Sequence, residues 1–383
     1  MTKAINNITD KSIRVVLARP FKSIAVLGAG SWGTALAITA VHAGRRVKLW
    51  GRRQDIVDEI NGTHRNTRYL GDIALPEGLV ATSNLSDAVA GCDCVLLVTP
   101  STSVRDVARR LNAVLATGVP VIVCAKGVEL DSGKLMTDVA GEELPGHETG
   151  VLSGPTFADE TAKRLPTAVT IASTFDHLED FSDNDILAAR VAVSLGTETF
   201  RPFISDDVIG VETSGAVKNV LALLCGMIQG AGFAANTRAA LITRGLDEMK
   251  NLAEVLGGRR ETVTGLSGIG DLMLTCSSTQ SRNFSYGLQL GQGIARDRIF
   301  GGRPVVVEGI ANAASVMKLA KAKGVSMPIV EAVHAIVHEG RNLAEAFSLL
   351  WTRPLEAAPR AIAIELPHPF GKDGARRLAA LMT

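Results

Sequence analysis

The first half of the chain alternates short apolar runs with longer stretches rich in alanine and leucine. The apolar runs cover residues 23–27, 47–50, 94–98 and 119–124. Continuous apolar runs of this length, bounded by Gly, Pro or Thr, are typical of strands buried on both faces of a parallel sheet. Residues 34–43 and 104–115 have the character of helices between such strands. The pattern predicts a βαβ array, that is, an α/β domain with a Rossmann-type, doubly wound and mostly parallel sheet.

The pattern changes near residue 202. Three further runs extend the predicted sheet, at residues 151–153, 168–171 and 197–200. Beyond about residue 203 we find no convincing strand pattern, and apolar residues recur at helical spacing instead. Examples are Ile242, Leu246, Met249, Ala253 and Leu256, and later Val330, Val333 and Val337. We therefore predict an all-α C-terminal domain.

These patterns divide the chain into four parts. We expect residues 1–20 to be a disordered N-terminal extension. Residues 21–202 form the predicted Rossmann domain, and residues 203–350 form the predicted helical domain. No element is assigned to residues 351–383, a C-terminal tail.

Composition excludes several classes of protein. The 383 residues are 46% hydrophobic, and their formal net charge is +1, which argues against binding nucleic acid through a broad basic surface. No run of about 18 apolar residues occurs, so we expect no membrane span. The five cysteines include no Cys-x-x-Cys pair, which argues against a disulfide framework or a structural zinc site and favours a cytoplasmic location.

A glycine motif follows the first predicted strand and opens the first helix. It consists of Gly28, Gly30 and Gly33, spaced as Gly-x-Gly-x-x-Gly. In this context the first glycine allows a tight turn, the second lets a pyrophosphate approach the backbone, and the third lets the helix pack close to the strand. The free N–H groups at the helix start favour phosphate. The motif predicts a dinucleotide site in the Rossmann domain.

The end of the second strand indicates which dinucleotide binds. An NAD enzyme usually places a carboxylate about 20 residues after the motif to hold the ribose 2′-hydroxyl. Here Arg52 and Arg53 follow the strand, and the first carboxylate is Asp55. Two guanidiniums suit the 2′-phosphate of NADP, so NADP is favoured, with NAD as a second cofactor. The alternative is that both arginines are ordinary solvated charges.

Three ionisable residues interrupt apolar surroundings. Lys126 follows a strand, at the edge where doubly wound sheets bind ligands. Lys218 lies within an apolar helix, and Asp271 lies in a glycine-flanked apolar segment. Desolvation and a nearby cation both lower the pKa of a lysine toward the range useful for proton transfer. The alternative for Lys218 is a side chain that extends to solvent.

A compact group of hydrogen-bond donors lies at Ser281, Arg282 and Asn283. The arginine offers a fork for phosphate, although the same residues also fit a capped helix start with an exposed arginine. His334 and His338 have the i, i+4 spacing of metal ligands, but no third ligand is apparent, and we predict no metal site.

Several blocks together resemble bacterial NAD(P)-dependent glycerol-3-phosphate dehydrogenase. They are the glycine block at 28–37, Ala-Lys-Gly at 125–127, Ser-Gly-Pro-Thr-Phe-Ala at 153–158, Gly-Ala-Val-Lys-Asn-Val at 215–220, Gly-Ile-Gly-Asp-Leu at 268–272, Ser-Arg-Asn at 281–283 and Val-Val-Glu-Gly at 306–309. They occur in the family's order over roughly residues 21–350. Both ends of the chain depart from the family.

The resemblance implies reversible reduction of dihydroxyacetone phosphate to sn-glycerol 3-phosphate for phospholipid synthesis, in a cytoplasmic homodimer. It makes Lys218 the proton donor or acceptor, with Lys126 and Asp271 as further catalytic residues. It implies a substrate pocket of Lys126, Gly154, Thr156, Lys218, Asn219, Asp271, Thr275, Ser281, Arg282 and Asn283. It implies cofactor contacts from Ser31, Trp32, Arg52, Lys126, Ala158, Arg282, Val306 and Glu308. Whether Asp271 orients Lys218 or the substrate stays open.

Two other functions compete with this interpretation. One is a two-domain dehydrogenase acting on another hydroxy acid or an acyl-CoA, against which the donor group at 281–283 favours a small phosphate. The other is a redox sensor that binds NADP(H) without turnover. Such a sensor has no need of Lys126, Lys218 and Asp271 together.

Overall fold

The computed structural model describes residues 18–175, 186–356, 365–366 and 371–380. Most of the predicted N-terminal extension, residues 1–17, lies outside the described residues, as does much of the C-terminal tail. The strands are β1 Ser23–Leu27, β2 Arg46–Trp50, β3 Leu79–Thr82, β4 Cys94–Leu97, β5 Val121–Val123, β6 Thr149–Ser153, β7 Thr167–Ser173, β8 Phe200–Ser205, β9 Leu355–Glu356 and β10 Glu365–Leu366.

The helices fall into two groups along the chain. Those packed with the sheet are α1 Ser31–His42, α2 Gln54–Thr63, α3 Thr67–Leu70, α4 Leu85–Val89, α5 Val104–Asn112, α6 Met136–Glu143, α7 Ala158–Ala162 and α8 Leu187–Leu195. The later ones are α9 Val208–Gly230, α10 Ala235–Val255, α11 Arg260–Val263, α12 Asp271–Ser277, α13 Arg282–Gly291, α14 Glu308–Ala322, α15 Pro328–Val337, α16 Leu343–Trp351 and α17 Gly371–Ala380. Short 3₁₀ turns cover Ser101–Ser103 and Arg296–Gly302, and a π turn covers Leu266–Gly270.

The eight-stranded sheet has the order β3-β2-β1-β4-β5-β6-β7-β8. All its neighbouring strands pair in parallel except β6 and β7. The first strand, β1, lies inside the sheet, and the later strands add outward from it on both sides. This is the doubly wound arrangement that the sequence predicts, and its β1–β4 crevice is where such sheets bind ligands.

The two edge strands differ from the sequence-based expectation. The sequence pattern predicts no strand at β3, which is short and leaves Val80 exposed. The pattern predicts a strand at residues 197–200, whereas β8 begins at Phe200 and ends at Ser205, so Pro202 lies inside it. Proline is tolerated there because β8 is the outermost strand of the sheet in the described part of the chain, and an edge strand does not need every backbone N–H for a ladder. The division of the chain at residue 202 as a domain boundary stays a prediction.

Helix α9 is the axis of the helical half. Asp207 caps it by accepting a hydrogen bond from the backbone N–H of Gly210 at 2.9 Å, and its other carboxylate oxygen accepts from the backbone N–H of Arg259, just before α11, at 2.8 Å. The helix is long and apolar enough to cross a membrane by length and composition, but 89% of its apolar window is buried inside the protein. It therefore has the burial of a core helix.

Glycines bring α9 and α13 into backbone contact. A Cβ on Gly226 would lie 2.1 Å from the carbonyl oxygen of Phe284, and one on Gly287 would lie 2.1 Å from that of Leu223. Neither position has room for a side chain, so the two helices approach more closely than larger residues allow. This packing places the start of α13 beside the middle of α9.

Candidate active site

The glycine loop has the geometry of a pyrophosphate cradle. Gly28 has φ +131°, and a Cβ there would lie 2.4 Å from the carbonyl oxygen of Val98. A Cβ on Gly33 would lie 1.8 Å from the carbonyl oxygen of Gly28, whereas one on Gly30 would meet nothing within 4 Å. The space in front of Gly30 adjoins the free N–H groups at the start of α1. The residues present therefore fit an NAD(P) pyrophosphate.

Two buried polar side chains that sequence reasoning missed lie beside this loop. The Asn66 side-chain amide donates to the carbonyl oxygen of Ala29 at 3.1 Å and to the Thr34 hydroxyl at 2.9 Å. The Thr99 hydroxyl, just past the carboxyl end of β4, is buried and has no hydrogen-bond partner among the residues that the structure describes. The position of Thr99 after a predicted central strand was the signal that could have found it.

Arg52 and Arg53 have different surroundings. Arg53 makes a bidentate ion pair with Asp55. Its Nε donates to Oδ1 at 2.9 Å, and its Nη2 donates to Oδ2. The Arg53 guanidinium thereby lowers the pKa of Asp55 below its ordinary value. Arg52 is exposed, and within the described part of the chain it has no ion pair. Arg52 is therefore the guanidinium with free donors at the end of β2.

Lys126, Lys218 and Asp271 converge, although 145 positions separate the first from the last. Lys126 Nζ donates to Asp271 Oδ2 at 2.7 Å, and Lys218 Nζ donates to Asp271 Oδ1 at 2.6 Å. The Thr275 hydroxyl accepts from Lys218 Nζ at 2.9 Å. The carboxylate therefore contacts both lysines through opposite oxygens. Two ammonium groups sharing one carboxylate leave the cluster with a net charge of +1.

Burial sets the protonation of this cluster. Burial is the largest cause that lowers the pKa of Lys218, and nearby Lys126 lowers it further; Asp271 opposes both, and the pKa falls to about 8. Burial alone would raise the pKa of Asp271, but the charges of Lys126 and Lys218 outweigh it and hold that pKa below its ordinary value. The cluster thus pairs a permanent carboxylate with a lysine that titrates near neutral pH.

The side chain of Lys126 passes close to Gly215 on its way to the cluster. A Cβ on Gly215, in α9, would lie 3.2 Å from Lys126 Cγ, so glycine at this position leaves space for the lysine stem. Lys126 Nζ also donates to the carbonyl oxygen of Gly154 at 3.2 Å. That carbonyl accepts from the Thr156 hydroxyl at 3.4 Å. The segment after β6 therefore lies directly against Lys126.

A second chain of hydrogen bonds begins at Asn219, the neighbour of Lys218. Asn219 Nδ2 donates to Glu308 Oε2 at 3.1 Å, and Asn283 Nδ2 donates to Asn219 Oδ1 at 2.8 Å. Asn283 Oδ1 accepts from the backbone N–H of Gly309 at 2.9 Å. The chain ties the starts of α13 and α14 to α9, so the structure brings Asn219, Asn283 and Glu308 together.

The residues predicted to bind phosphate, at 281–283, have a structural role as well. The Ser281 hydroxyl caps α13 by accepting from the backbone N–H of Phe284 at 3.2 Å. Arg282, in the first turn, is exposed and without an ion pair among the described residues. The helix start is therefore capped, as the alternative interpretation expected, and still presents a guanidinium to solvent.

The remaining predicted residues lie around the glycine loop and α14. Ser31 begins α1, and both Trp32 and Ala158 pack partly buried against the core beneath the sheet. Val306, just before α14, is exposed. His334 Nδ1 lies 3.2 Å from Glu339 Oε1, and within the ranges that the structure describes no group of three or more His, Cys, Asp or Glu converges as a metal site would.

Comparison with known proteins identifies the family. Residues 23–179 match the model of the NAD-dependent glycerol-3-phosphate dehydrogenase N-terminus, and residues 207–348 match the model of its C-terminus. A glycerol-3-phosphate dehydrogenase (NAD(P)+) from Maricaulis maris is 47% identical over 334 residues, which cover 87% of this chain and 97% of that protein. One from Rhodospirillum rubrum is 46% identical over 332 residues, 87% of this chain and 93% of that protein.

A solved structure agrees. The crystal structure of glycerol-3-phosphate dehydrogenase from Coxiella burnetii is 39% identical, covers 87% of this chain and 99% of its own, and has a TM-score of 0.80. These matches confirm the resemblance that the sequence blocks carry. The chain therefore belongs to the NAD-dependent glycerol-3-phosphate dehydrogenase family.

Proposed function

We propose that this protein interconverts dihydroxyacetone phosphate and sn-glycerol 3-phosphate with NAD(P)(H). The observation that carries the proposal is the buried cluster in which Asp271 holds Lys126 and Lys218 through opposite oxygens. A binding protein without turnover has no need of a desolvated lysine held beside a second lysine by one buried carboxylate. The family relatives named above share the same assignment by name.

Lys218 handles the proton at the C2 oxygen of the substrate. Reduction of a ketone needs an acid at that oxygen, and oxidation of the carbinol needs a base there. With a pKa of about 8, Lys218 is largely an ammonium at neutral pH and becomes an amine in mildly alkaline solution. The nicotinamide, when bound, supplies or accepts the hydride. Asp271 keeps Lys218 Nζ aimed and Thr275 fixes it from the side.

Lys126 supports the same oxygen electrostatically. Its ammonium lies against Asp271 and the Gly154 carbonyl, at the edge of the sheet where the cofactor would end. The cluster's net positive charge attracts the phosphorylated substrate and stabilises negative charge that develops on the C2 oxygen. In this proposal Lys126 touches both substrate and cofactor.

The phosphate of the three-carbon substrate binds at the start of α13. Arg282 offers a planar fork, and the capped helix start adds partial positive charge. Gly154, Thr156 and Ser281 line the same pocket. Asn283 uses both ends of its amide within the protein, so we assign it to holding Asn219 and the pocket wall in place.

Arg52 selects NADP. Its guanidinium is exposed at the end of β2, while Arg53 is occupied by Asp55. The occupied Asp55 is also unsuited to hold a ribose 2′-hydroxyl as an NAD-specific carboxylate does. The glycine loop and Ser31 bind the pyrophosphate, Trp32 and Ala158 flank it, and Val306 and Glu308 approach the nicotinamide end.

The activity is tested by following NADPH absorbance at pH 7 with dihydroxyacetone phosphate. We expect oxidation of NADPH that depends on the substrate, with unphosphorylated dihydroxyacetone as the comparison that isolates the phosphate. Binding of NADPH without any loss of absorbance would contradict the proposal and favour the redox-sensor alternative. We further propose that the protein is a cytoplasmic homodimer and that its product supplies phospholipid synthesis. The oligomeric state is tested by light scattering, which gives the mass in solution.

A further inference from the structure

Asn312, on α14, hydrogen-bonds to the backbone of both lysine-bearing segments of the site. The residue is 1% exposed. Its Nδ2 donates to the carbonyl oxygen of Lys126 at 3.3 Å and to the carbonyl oxygen of Ala216 at 3.1 Å. One carbonyl belongs to the loop after β5, and the other belongs to α9, two residues before Lys218.

The loop that carries Lys126 is packed to fit this amide. A Cβ on Gly127 would lie 2.9 Å from Asn312 Oδ1 and 2.8 Å from Ser101 Cβ. Glycine at this position therefore lets the loop close over Asn312, with no side chain between them. Both protons of one amide group then join the sheet edge to α9 at the level of the catalytic cluster.

We propose that Asn312 is a positioning residue that sets the spacing between Lys126 and Lys218. The proposal rests on the proposed function, because the spacing matters when both ammonium groups act on one substrate oxygen. The side chain of Lys126 is long and held at its tip by Asp271 and Gly154. Its backbone is held by Asn312, so the lysine is fixed at both ends.

Loss of the two hydrogen bonds from Asn312 has a predictable electrostatic consequence. Lys218 faces Asp271 and Cys276 from α12, Lys126 from the loop after β5, and Glu308 from α14. If Lys126 moves away, Lys218 loses a neighbouring cation and keeps Asp271 to itself. Both changes favour the ammonium form of Lys218, so its pKa rises.

The test compares Asn312→Leu, which keeps the approximate size and removes both donors, with Asn312→Ser, which keeps a hydroxyl. Ser315→Ala is the matched control, since Ser315 is buried on the same helix and its hydroxyl donates to the backbone oxygen of Asn312 at 3.5 Å, away from the Asn312 side chain. We expect the Leu variant to lose about tenfold or more in kcat for dihydroxyacetone phosphate reduction. The Ser variant is expected to lose less and Ser315→Ala nothing.

The distinguishing readout is the pH profile. In the Leu variant the pH at which reduction declines is expected to rise, while NADPH affinity stays at the wild-type value. A folded Leu variant with wild-type kcat and an unmoved profile overturns the proposal and leaves Asn312 a structural tie only. If the Leu variant does not fold, the Ser variant is judged by the same two criteria.

A second measurement separates this inference from the proposed function. The pKa of Lys218 can be followed without substrate and without a reagent that must enter the site, by a pH titration of its side-chain NMR signals in isotopically labelled protein. If the wild type does not turn over dihydroxyacetone phosphate, the proposed function fails, while the NMR titration still decides the role of Asn312. An unchanged Lys218 pKa in the Asn312 variants contradicts the inference.

Discussion

Lys218 Nζ lies 2.6 Å from Asp271 Oδ1, and this contact is half of a shared arrangement in which the other oxygen of the carboxylate holds Lys126. The pKa of Lys218 is nevertheless lowered, to about 8. Burial outweighs the single shared carboxylate. A lysine that is paired and yet titrates near neutral pH is suited to exchange a proton in both directions.

Replacing Lys218 by methionine removes the proposed proton donor and keeps most of the side-chain volume. We expect kcat to fall by about 10²-fold or more with NADPH affinity unchanged, measured by steady-state kinetics and fluorescence titration. Lys323→Ala, which removes an exposed lysine after α14, is the control and is expected to behave as the wild type. A Lys218→Met enzyme with a normal rate would remove this residue from the mechanism.

Replacing Asp271 by asparagine shifts the pH profile. Asp271 raises the pKa of Lys218, so its neutralisation lowers that pKa below about 8. Because reduction needs the ammonium, the decline in kcat/KM with rising pH moves to lower pH, and the rise seen in the oxidation direction moves the same way. Asp106→Asn, on the exposed face of α5, serves as comparison. A profile that does not move would show that Asp271 leaves the Lys218 proton unaffected.

Two glycines of the glycine loop are expected to affect different quantities, one the free energy of unfolding and the other the affinity for NADPH. For Gly33→Ala we expect a loss of about 3 kcal/mol or more in the free energy of unfolding, since the new methyl group overlaps the Gly28 carbonyl oxygen. For Gly30→Ala the methyl group enters open space, so stability stays within about 0.5 kcal/mol while NADPH affinity falls. Urea unfolding and NADPH titration measure the two quantities. Equal behaviour of the two variants would contradict this assignment.

Arg52→Ala is expected to weaken NADPH binding about 10- to 100-fold, the effect of losing a charge-assisted contact to phosphate, and to leave NADH nearly unchanged. Arg53→Ala is the matched control, because Arg53 is engaged by Asp55, and we expect a smaller change. Dissociation constants for both cofactors measure the difference. The same loss for NADPH and NADH in Arg52→Ala would mean that the residue does not contact the 2′-phosphate.

Glu212 makes stability depend on pH. This buried residue of α9 accepts hydrogen bonds from the backbone N–H of Thr137 at 2.9 Å and from the Thr137 hydroxyl, and burial raises its pKa to about 7. Since the folded pKa lies above the unfolded value, the stability it contributes is full below about pH 4.5 and is lost as pH rises to about 7. Glu212→Gln removes this loss.

We therefore expect Glu212→Gln to be more stable than the wild type at pH 8, by at most about 3 kcal/mol, and to approach it at pH 5. Urea unfolding across this interval measures the difference. Glu129→Gln is the control: the Arg105 hydrogen bonds hold the Glu129 pKa at about 2, so its effect should be constant from pH 5 to 8. A Glu212→Gln variant with the wild-type slope would contradict the prediction.

Sequence alone determined the fold class and singled out the ionisable side chains proposed to react. The glycine loop and the strands at 23–27 and 94–98 follow from neighbours in the chain, because turn chemistry and hydrophobic periodicity are local. Lys126, Lys218 and Asp271 stood out because charge is costly in apolar surroundings. The strand β3 was missed because it is short and half exposed, so its pattern resembles a loop.

Only the tertiary structure decided which partners those side chains have. The Asp271 contacts to two lysines, the Asn312 tie between the sheet edge and α9, and the Glu212 contact with α6 join residues 53 to 186 positions apart. Such contacts depend on how helices pack against the sheet, which local patterns do not encode. The pairing of Arg53 with Asp55 is local, yet choosing between that pair and a cofactor phosphate required side-chain geometry.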